Sequence, residues 1–254
     1  MSRVAIIYFS GVGNTQAVAM RIRQSLAEQV EADLFSVEHL PEEFPWESYS
    51  AVVIGTPTYH SEPAEPLMEF LESAAPERSI PAFLFATCGM YPENCLRKLA
   101  KICKSRGIIP VAHASYRCAA TDGILLTPRV KRWYGHEKHL QDRIKADTAE
   151  FLRRLSEGAK ERMPRYKWYA PLNYPNRLMG KAVTFTIHLH RDACVGCGKC
   201  AGSCPRSAIT MKDGCPVINK ERCINCYRCI HCCPTLALSL RKDRRVTKVW
   251  SDTI

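Results

Sequence analysis

The sequence predicts two parts: an α/β domain on a doubly wound, five-stranded parallel sheet, then a small α+β module. Three observations predict them. Through residue 158, short apolar runs rich in β-branched residues alternate with helical patterns, the order in which helices cover both faces of a parallel sheet. Ten of the 14 cysteines fall between residues 194 and 233. A proline-bearing stretch at 159–180 separates the two regions. With 254 residues, the chain suits one large or two modest domains. The boundaries are set at 1–158 for the sheet domain, 159–180 for a linker, 181–241 for the module and 242–254 for a basic tail.

Each element has a local reason. Val4–Phe9 is an apolar β-type run that ends in a glycine-rich turn, and a helical pattern follows from Thr15 to about Val30. Ala32–Val37 alternates as a strand does, and Ala51–Gly55 is a short buried strand. Glu62 to about Ser73 is helical, with Leu67, Phe70 and Leu71 on one face. Ile80–Ala86 is the fourth strand, Glu93–Arg106 a helix ending before Gly107, Ile108 to about Tyr116 the fifth strand, and His136–Leu155 a long amphipathic helix. In the linker, Met163-Pro164, Ala170-Pro171 and Tyr174-Pro175 oppose regular structure. Arg162, Arg165, Lys167 and Arg177 stand there among Tyr166, Trp168, Tyr169 and Tyr174. The aromatic rings are expected to pack the linker on its neighbours; contact with a membrane surface or a partner is the less favoured reading.

Charge is uneven. Residues 1–158 hold 18 basic and 19 acidic residues, and residues 159–254 hold 18 and 6. Within the first part, residues 28–93 carry 13 acids and one base, Arg78. Metal-bound thiolates would offset part of the C-terminal positive charge, so a nucleic-acid surface is disfavoured and an acidic protein partner is expected. The N-terminal apolar run is too short for a signal peptide, and no segment reaches the roughly 18 apolar residues of a membrane span, so the expected compartment is the cytoplasm. In that setting many cysteines read as ligands and not as disulfides.

The cysteines form a repeat. Cys194, Cys197, Cys200 and Cys204, followed by Pro205, return 29 residues later as Cys223, Cys226, Cys229 and Cys233, followed by Pro234. Each copy reads C-x2-C-x2-C-x3-C-P. Zinc is disfavoured, because structural zinc sites usually use two C-x2-4-C pairs separated by a longer spacer. Cys232 competes with Cys233, but it aligns with Ser203, which is no ligand, so Cys233 is chosen. Cys215 lies between the copies and reads as a small core residue, as do the N-terminal Cys95, Cys103 and Cys118. The motif resembles that of bacterial two-cluster ferredoxins, in which the fourth cysteine of each run serves the other cluster. That resemblance implies one 4Fe–4S cluster on Cys194, Cys197, Cys200 and Cys233, and a second on Cys223, Cys226, Cys229 and Cys204.

The first turn, Ser10-Gly11-Val12-Gly13-Asn14-Thr15, follows a strand and opens a helix, where free N–H groups and the helix dipole suit a phosphate. It matches neither GxGxxG nor GxxxxGK[ST]. Together with the βα order, it resembles the phosphate loop of flavodoxins, over about residues 3–158. The resemblance implies FMN, with strand order 2-1-3-4-5 and the phosphate on Ser10, Gly11, Gly13, Asn14 and Thr15; Val12 stands where flavodoxins usually have Thr. It also puts the loop Thr56-Pro57-Thr58-Tyr59-His60 beside the isoalloxazine, with Tyr59 as the stacking ring. Thr87-Cys88-Gly89-Met90-Tyr91 closes the other side.

The domain order resembles the flavodoxin–ferredoxin fusion proteins of anaerobic bacteria and archaea. This implies electron transfer between two clusters and FMN, and onward to an acidic redox protein such as a ferredoxin or an oxidoreductase. The acidic stretch 28–93 is expected to dock the basic C-terminal half. The alternatives are an FMN-dependent reductase acting directly on a small substrate, and a redox sensor working through the basic tail.

Overall fold

The computed structural model describes residues 3–121, 125, 135–158, 160–170 and 186–243. The second half of the expected linker, with Tyr174 and Arg177, and the basic tail from residue 244 lie outside the described residues.

Alternation of side chains along the strands builds the first domain. Its elements are β1 (Arg3–Tyr8), α1 (Asn14–Leu26), β2 (Glu31–Ser36), β3 (Ala51–Tyr59), β4 (Glu62–Pro63), α2 (Glu65–Ser73), β5 (Ile80–Cys88), α3 (Cys95–Ser105), β6 (Ile108–Arg117) and α4 (Leu140–Ser156). Val4, Ile6, Tyr8, Val53, Phe83 and Phe85 point to one face and pack with Val18, Ile22, Ile144 and Phe151. Ala5, Ile7, Phe9, Val52, Ile54 and Leu84 point to the other and pack with Leu67, Leu71, Leu99 and Cys103. Both faces are covered, so the strands read as continuous apolar runs. The five main strands are parallel, in the order β2-β1-β3-β5-β6, and β4 pairs antiparallel with the end of β3. Strand order reverses between β1 and β3, so the ends of these strands open a crevice.

Several boundaries differ from expectation. The segment Thr56–His60 is not a free loop: β3 runs through Tyr59, and His60 and Ser61 turn it into β4 with φ of 50° and 67°. Two successive left-handed residues suit a two-residue hairpin turn. The second helix starts at Glu65, with Pro66 in its first turn, where a missing N–H costs nothing. The helix expected from Glu93 starts at Cys95, because Glu93 is left-handed at φ 44°. The helix expected from His136 starts at Leu140, because His139 sits at φ 59° and blocks extension backwards.

Residues 160–170 are held by their backbone. The Arg162 N–H donates to the Pro110 carbonyl at 2.7 Å, and Arg97 donates to the Pro164 carbonyl at 2.8 Å. Asn94 bonds both the N–H and the carbonyl of Lys167. The aromatic rings do not do the packing, since Trp168 is 75% and Tyr166 56% exposed.

The module contains β7 (His188–Leu189), α5 (Lys199–Gly202), β8 (Ile209–Lys212), β9 (Cys215–Ile218), α6 (Arg228–His231) and β10 (Leu238–Ser239). Two antiparallel ribbons, β7–β10 and β8–β9, flank a small core around Ile209, Ile230, Leu238 and Leu240. The sequence repeat is also a backbone repeat. Gly196 and Asn225, Gly198 and Tyr227, and Ser207 and Leu236 all have positive φ, each pair 29 residues apart. Among the described residues, no helix is long and apolar enough to cross a membrane.

Candidate functional site

Left-handed turns at Gly196 and Gly198 curl the chain between Cys194 and Cys200. Cys194, Cys197, Cys200 and Cys233 line one cavity, together with Leu189, Val195, Pro216 and Leu238. The fourth cysteine of this cavity thus comes from the other repeat. The Ala237 N–H donates to Cys233 Sγ at 3.2 Å, and at the equivalent place the Ala208 N–H donates to Cys204 Sγ at 3.3 Å. Burial alone would raise the Cys233 thiol, but backbone donors at Ala237, Thr235 and Leu238 and the Thr235 side chain hold it below its ordinary value. Thiols around a void, with N–H donors to the sulfur, are a donor set that fits an iron–sulfur cubane. Cys232 does what Ser203 does. Each bonds the carbonyl three residues back, and the two meet at 3.1 Å across the pseudo-twofold.

The other four cysteines lie within electrostatic reach of one another. Burial pushes Cys226 up to about 11, Arg228 opposes this, and Cys204 and Cys223 add to it. Burial also raises Cys229, with Cys226, Cys223, Cys232 and Cys204 all adding. Such thiols carry protons at neutral pH, which a bound metal must displace.

The second site is a cleft at the switch point of the sheet, with about 660 Å³ of empty space including its solvent-side mouth. Ser10, Gly11, Val12, Asn14, Thr15, Pro57, Thr58, Tyr59, His60, Thr87, Cys88 and Gly89 line it. Local chemistry shapes the first loop. Gly13, left-handed at φ 103°, caps α1, and its N–H donates to Ser10 Oγ at 3.1 Å. No side chain caps α1 and no acid stands in its first turn, so its N-terminal N–H groups and dipole face no competing carboxylate. Thr15 and Thr87 hydroxyls bond each other at 2.8 Å and tie the helix start to β5. A cradle of free N–H groups fits the phosphate of FMN.

Four residues named from the sequence do not line the cleft. The Gly13 N–H is spent on Ser10. Thr56 is fully buried, with its hydroxyl accepting from the Ala64 N–H and donating to the Pro57 carbonyl. Met90 and Tyr91 are 63% and 71% exposed. The chain packs tightly at Gly89, where a Cβ would lie 2.5 Å from that of Ala120. Cys88 lines the cleft as a thiol, pushed up to about 12 by burial and then by Glu137, against Arg117 and Arg143. Tyr59 lines it too, but its hydroxyl is turned to the phosphate loop and to Cys226. Burial first, then Cys226, raises it well above its ordinary value, against Arg228 and a Gly11 backbone bond.

Sequence reasoning missed two walls. One is Cys118–Thr121, after β6, tied to the phosphate loop by Asn14 Nδ2 donating to the Ala119 carbonyl at 3.0 Å. The position of this segment beyond a sheet strand was the available signal. The other is Asn225, Cys226 and Tyr227, from the cysteine module itself. The module docks here. Arg228 spans Glu38 with two bonds of 2.6 Å, and Arg206 pairs with Glu69 at 2.6 Å and Glu65 at 3.3 Å. All three acids belong to the stretch 28–93, as the charge pattern led one to expect. Ile224 adds an apolar contact to the core of the first domain.

Residues 5–105 match the family model of the flavodoxin domain, and residues 187–210 match that of the 4Fe-4S binding domain. No curated protein matches the chain significantly. Solved structures similar to it include a flavodoxin from the domain Archaea (13% identity, 61% of this chain and 99% of that one, TM-score 0.45). Flavodoxin 1 from Bacillus cereus is 17% identical over 60% of this chain and 98% of that one, with a TM-score of 0.45. A flavodoxin of Streptococcus pneumoniae is 14% identical over 60% of this chain and 99% of that one, with a TM-score of 0.47. The chain is a flavodoxin domain fused to a 4Fe–4S binding domain, an electron-transfer protein that combines flavin and iron–sulfur sites.

Proposed function

We propose that the protein is an intramolecular electron relay between two 4Fe–4S clusters and FMN. The cluster on Cys204, Cys223, Cys226 and Cys229 stands next to the flavin, and the one on Cys194, Cys197, Cys200 and Cys233 faces outward. One observation carries this reading: Asn225, Cys226 and Tyr227 form a wall of the same cleft as the phosphate loop. When bound, the clusters supply one-electron steps and FMN both one- and two-electron steps. The chain's own residues position these groups. The N-terminus of α1 receives the phosphate, Arg228 and Arg206 hold the module on the cleft, and Cys197 is exposed whereas Cys229 is buried. Electrons thus enter or leave through the outer cluster, and an acidic redox protein is the expected partner. Tethering keeps the local concentration of one site at the other high.

The test is anaerobic purification followed by iron, sulfide and flavin analysis, then rapid mixing with a one-electron donor. About eight irons and one FMN per chain are expected, with the clusters reduced before the flavin in a concentration-independent second phase. Flavin that is reduced only in proportion to the concentration of external donor refutes the relay, and turnover of a small substrate at the flavin without the clusters favours the reductase.

A further inference from the structure

Arg228 belongs to the iron–sulfur module, two residues after one ligand and one before another, yet most of its contacts are in the flavodoxin domain. Its Nε donates to the Gly11 carbonyl at 2.9 Å and its Nη2 to the Ser10 carbonyl at 2.7 Å. The same guanidinium donates to both Glu38 oxygens and to the Ser203 carbonyl at 3.2 Å, and lies 5.7 Å from the centroid of the Phe9 ring. Arg228 and Glu38 are about one-fifth exposed, so this is a partly desolvated cluster and not a surface pair. Ser10 and Gly11 are the first two residues of the phosphate loop. The Gly11 carbonyl, pinned from behind, leaves the Val12 N–H of the same peptide directed the other way, toward the cleft, while the Gly11 N–H is held by the Tyr59 hydroxyl.

We propose that Arg228 is a positioning residue of the flavin site: it orients the phosphate loop from outside the flavodoxin domain and makes tight FMN binding depend on a docked module. The inference rests on the relay reading above, because it takes FMN as the ligand of the cleft. It goes beyond that reading in giving the module a second task. Docking of the iron–sulfur module completes the phosphate site, and by linkage FMN holds the module in place by the same factor. An arginine is suited to this, since its planar fork serves two carbonyls and a carboxylate at once; a lysine keeps the charge but not the fork.

The experiment uses the full, iron-loaded chain. Dissociation constants for FMN and for riboflavin, which lacks the phosphate, are measured by flavin fluorescence for the wild type, Arg228→Ala, Arg228→Lys and Arg206→Ala. Iron content is determined for each. Arg206→Ala breaks the other ion-paired contact between the domains, away from the loop. Arg228→Ala is expected to weaken FMN about tenfold or more, as loss of hydrogen bonds from a charged group does, while riboflavin changes little. Arg228→Lys should recover part of the loss, and Arg206→Ala, which loosens docking but leaves Arg228 on the loop, should lower the FMN to riboflavin affinity ratio less than Arg228→Ala does. An unchanged ratio in Arg228→Ala with full iron content overturns the inference and leaves the relay standing. So does an Arg206→Ala loss as large as that of Arg228→Ala, because Arg228 then contributes nothing to the loop beyond docking. If the wild type binds no flavin at all, the relay reading itself fails.

Discussion

Replacing Gly11 with alanine tests the closest approach between the two domains. A Cβ at this position would lie 2.2 Å from Tyr59 Oη, 3.0 Å from Cys226 Cβ and 3.1 Å from the Cys226 carbonyl oxygen. Ordinary contact needs roughly 3.5 Å, so something must give by about 1 Å. The loop can shift into the phosphate position, or the module can lift off the cleft. Overpacking of this kind costs about 1–3 kcal/mol, which is roughly 5- to 150-fold in an equilibrium constant. Gly11→Ala should therefore weaken FMN binding, read by fluorescence titration, and lower the urea midpoint of the iron-loaded protein by a matching free energy. The closest atom is a hydroxyl, so the double variant Gly11→Ala/Tyr59→Phe should recover a large part of the loss, with a coupling energy of about 1 kcal/mol or more. Wild-type affinity and stability in Gly11→Ala refute the described approach of Cys226 to the loop. A double variant no better than Gly11→Ala refutes the placement of the Tyr59 hydroxyl.

Other outcomes follow from the same contacts. Cys232→Ser should retain full iron, because Ser203 already fills the equivalent place, whereas Cys233→Ser should lose about half the iron and its share of the cluster absorbance. Intramolecular transfer should slow between 20 mM and 500 mM salt, less steeply in Arg206→Ala, because the docking contacts are partly exposed ion pairs; a rate indifferent to salt contradicts electrostatic docking. Chelation of iron should unfold residues 186–243, whose apolar core is small, and native-like circular dichroism of the iron-free module counts against this. Alkali should destabilise the flavodoxin domain. Burial pushes Cys88 and Cys95 up to about 12 from 9.0, so the unfolded state loses these protons first. Their contribution is complete below pH 9 and disappears as pH rises toward 12, at about 1.4 kcal/mol per thiol and pH unit. The stability profile of Cys95→Ala should be flatter above pH 9, and an identical slope removes that thiol from the account.

What could be read from the chain was local. Strand and helix identity followed from the period of the apolar residues, because both sheet faces are buried and every strand shows it. The end of β3 was misread as a loop because the hairpin turn at His60 and Ser61 uses residues with no glycine to announce it. The linker rings were expected to pack inward, yet backbone bonds at Arg162 and Lys167 anchor the segment and leave Trp168 outside. The cysteine spacing singled out Cys233 over Cys232, because an internal repeat compares the chain with itself.

The sequence by itself determined the fold class and singled out eight candidate ligand positions and a candidate phosphate loop, since each lies within a few tens of residues. Only the tertiary structure decided that Cys226 and its neighbours wall the flavin cleft, and that Arg228 pins the loop 217 residues earlier in the chain. The physical reason is that such contacts arise when two separately patterned surfaces dock. Their charge signs show in composition, but which arginine meets which carbonyl depends on the shape and register of both domains.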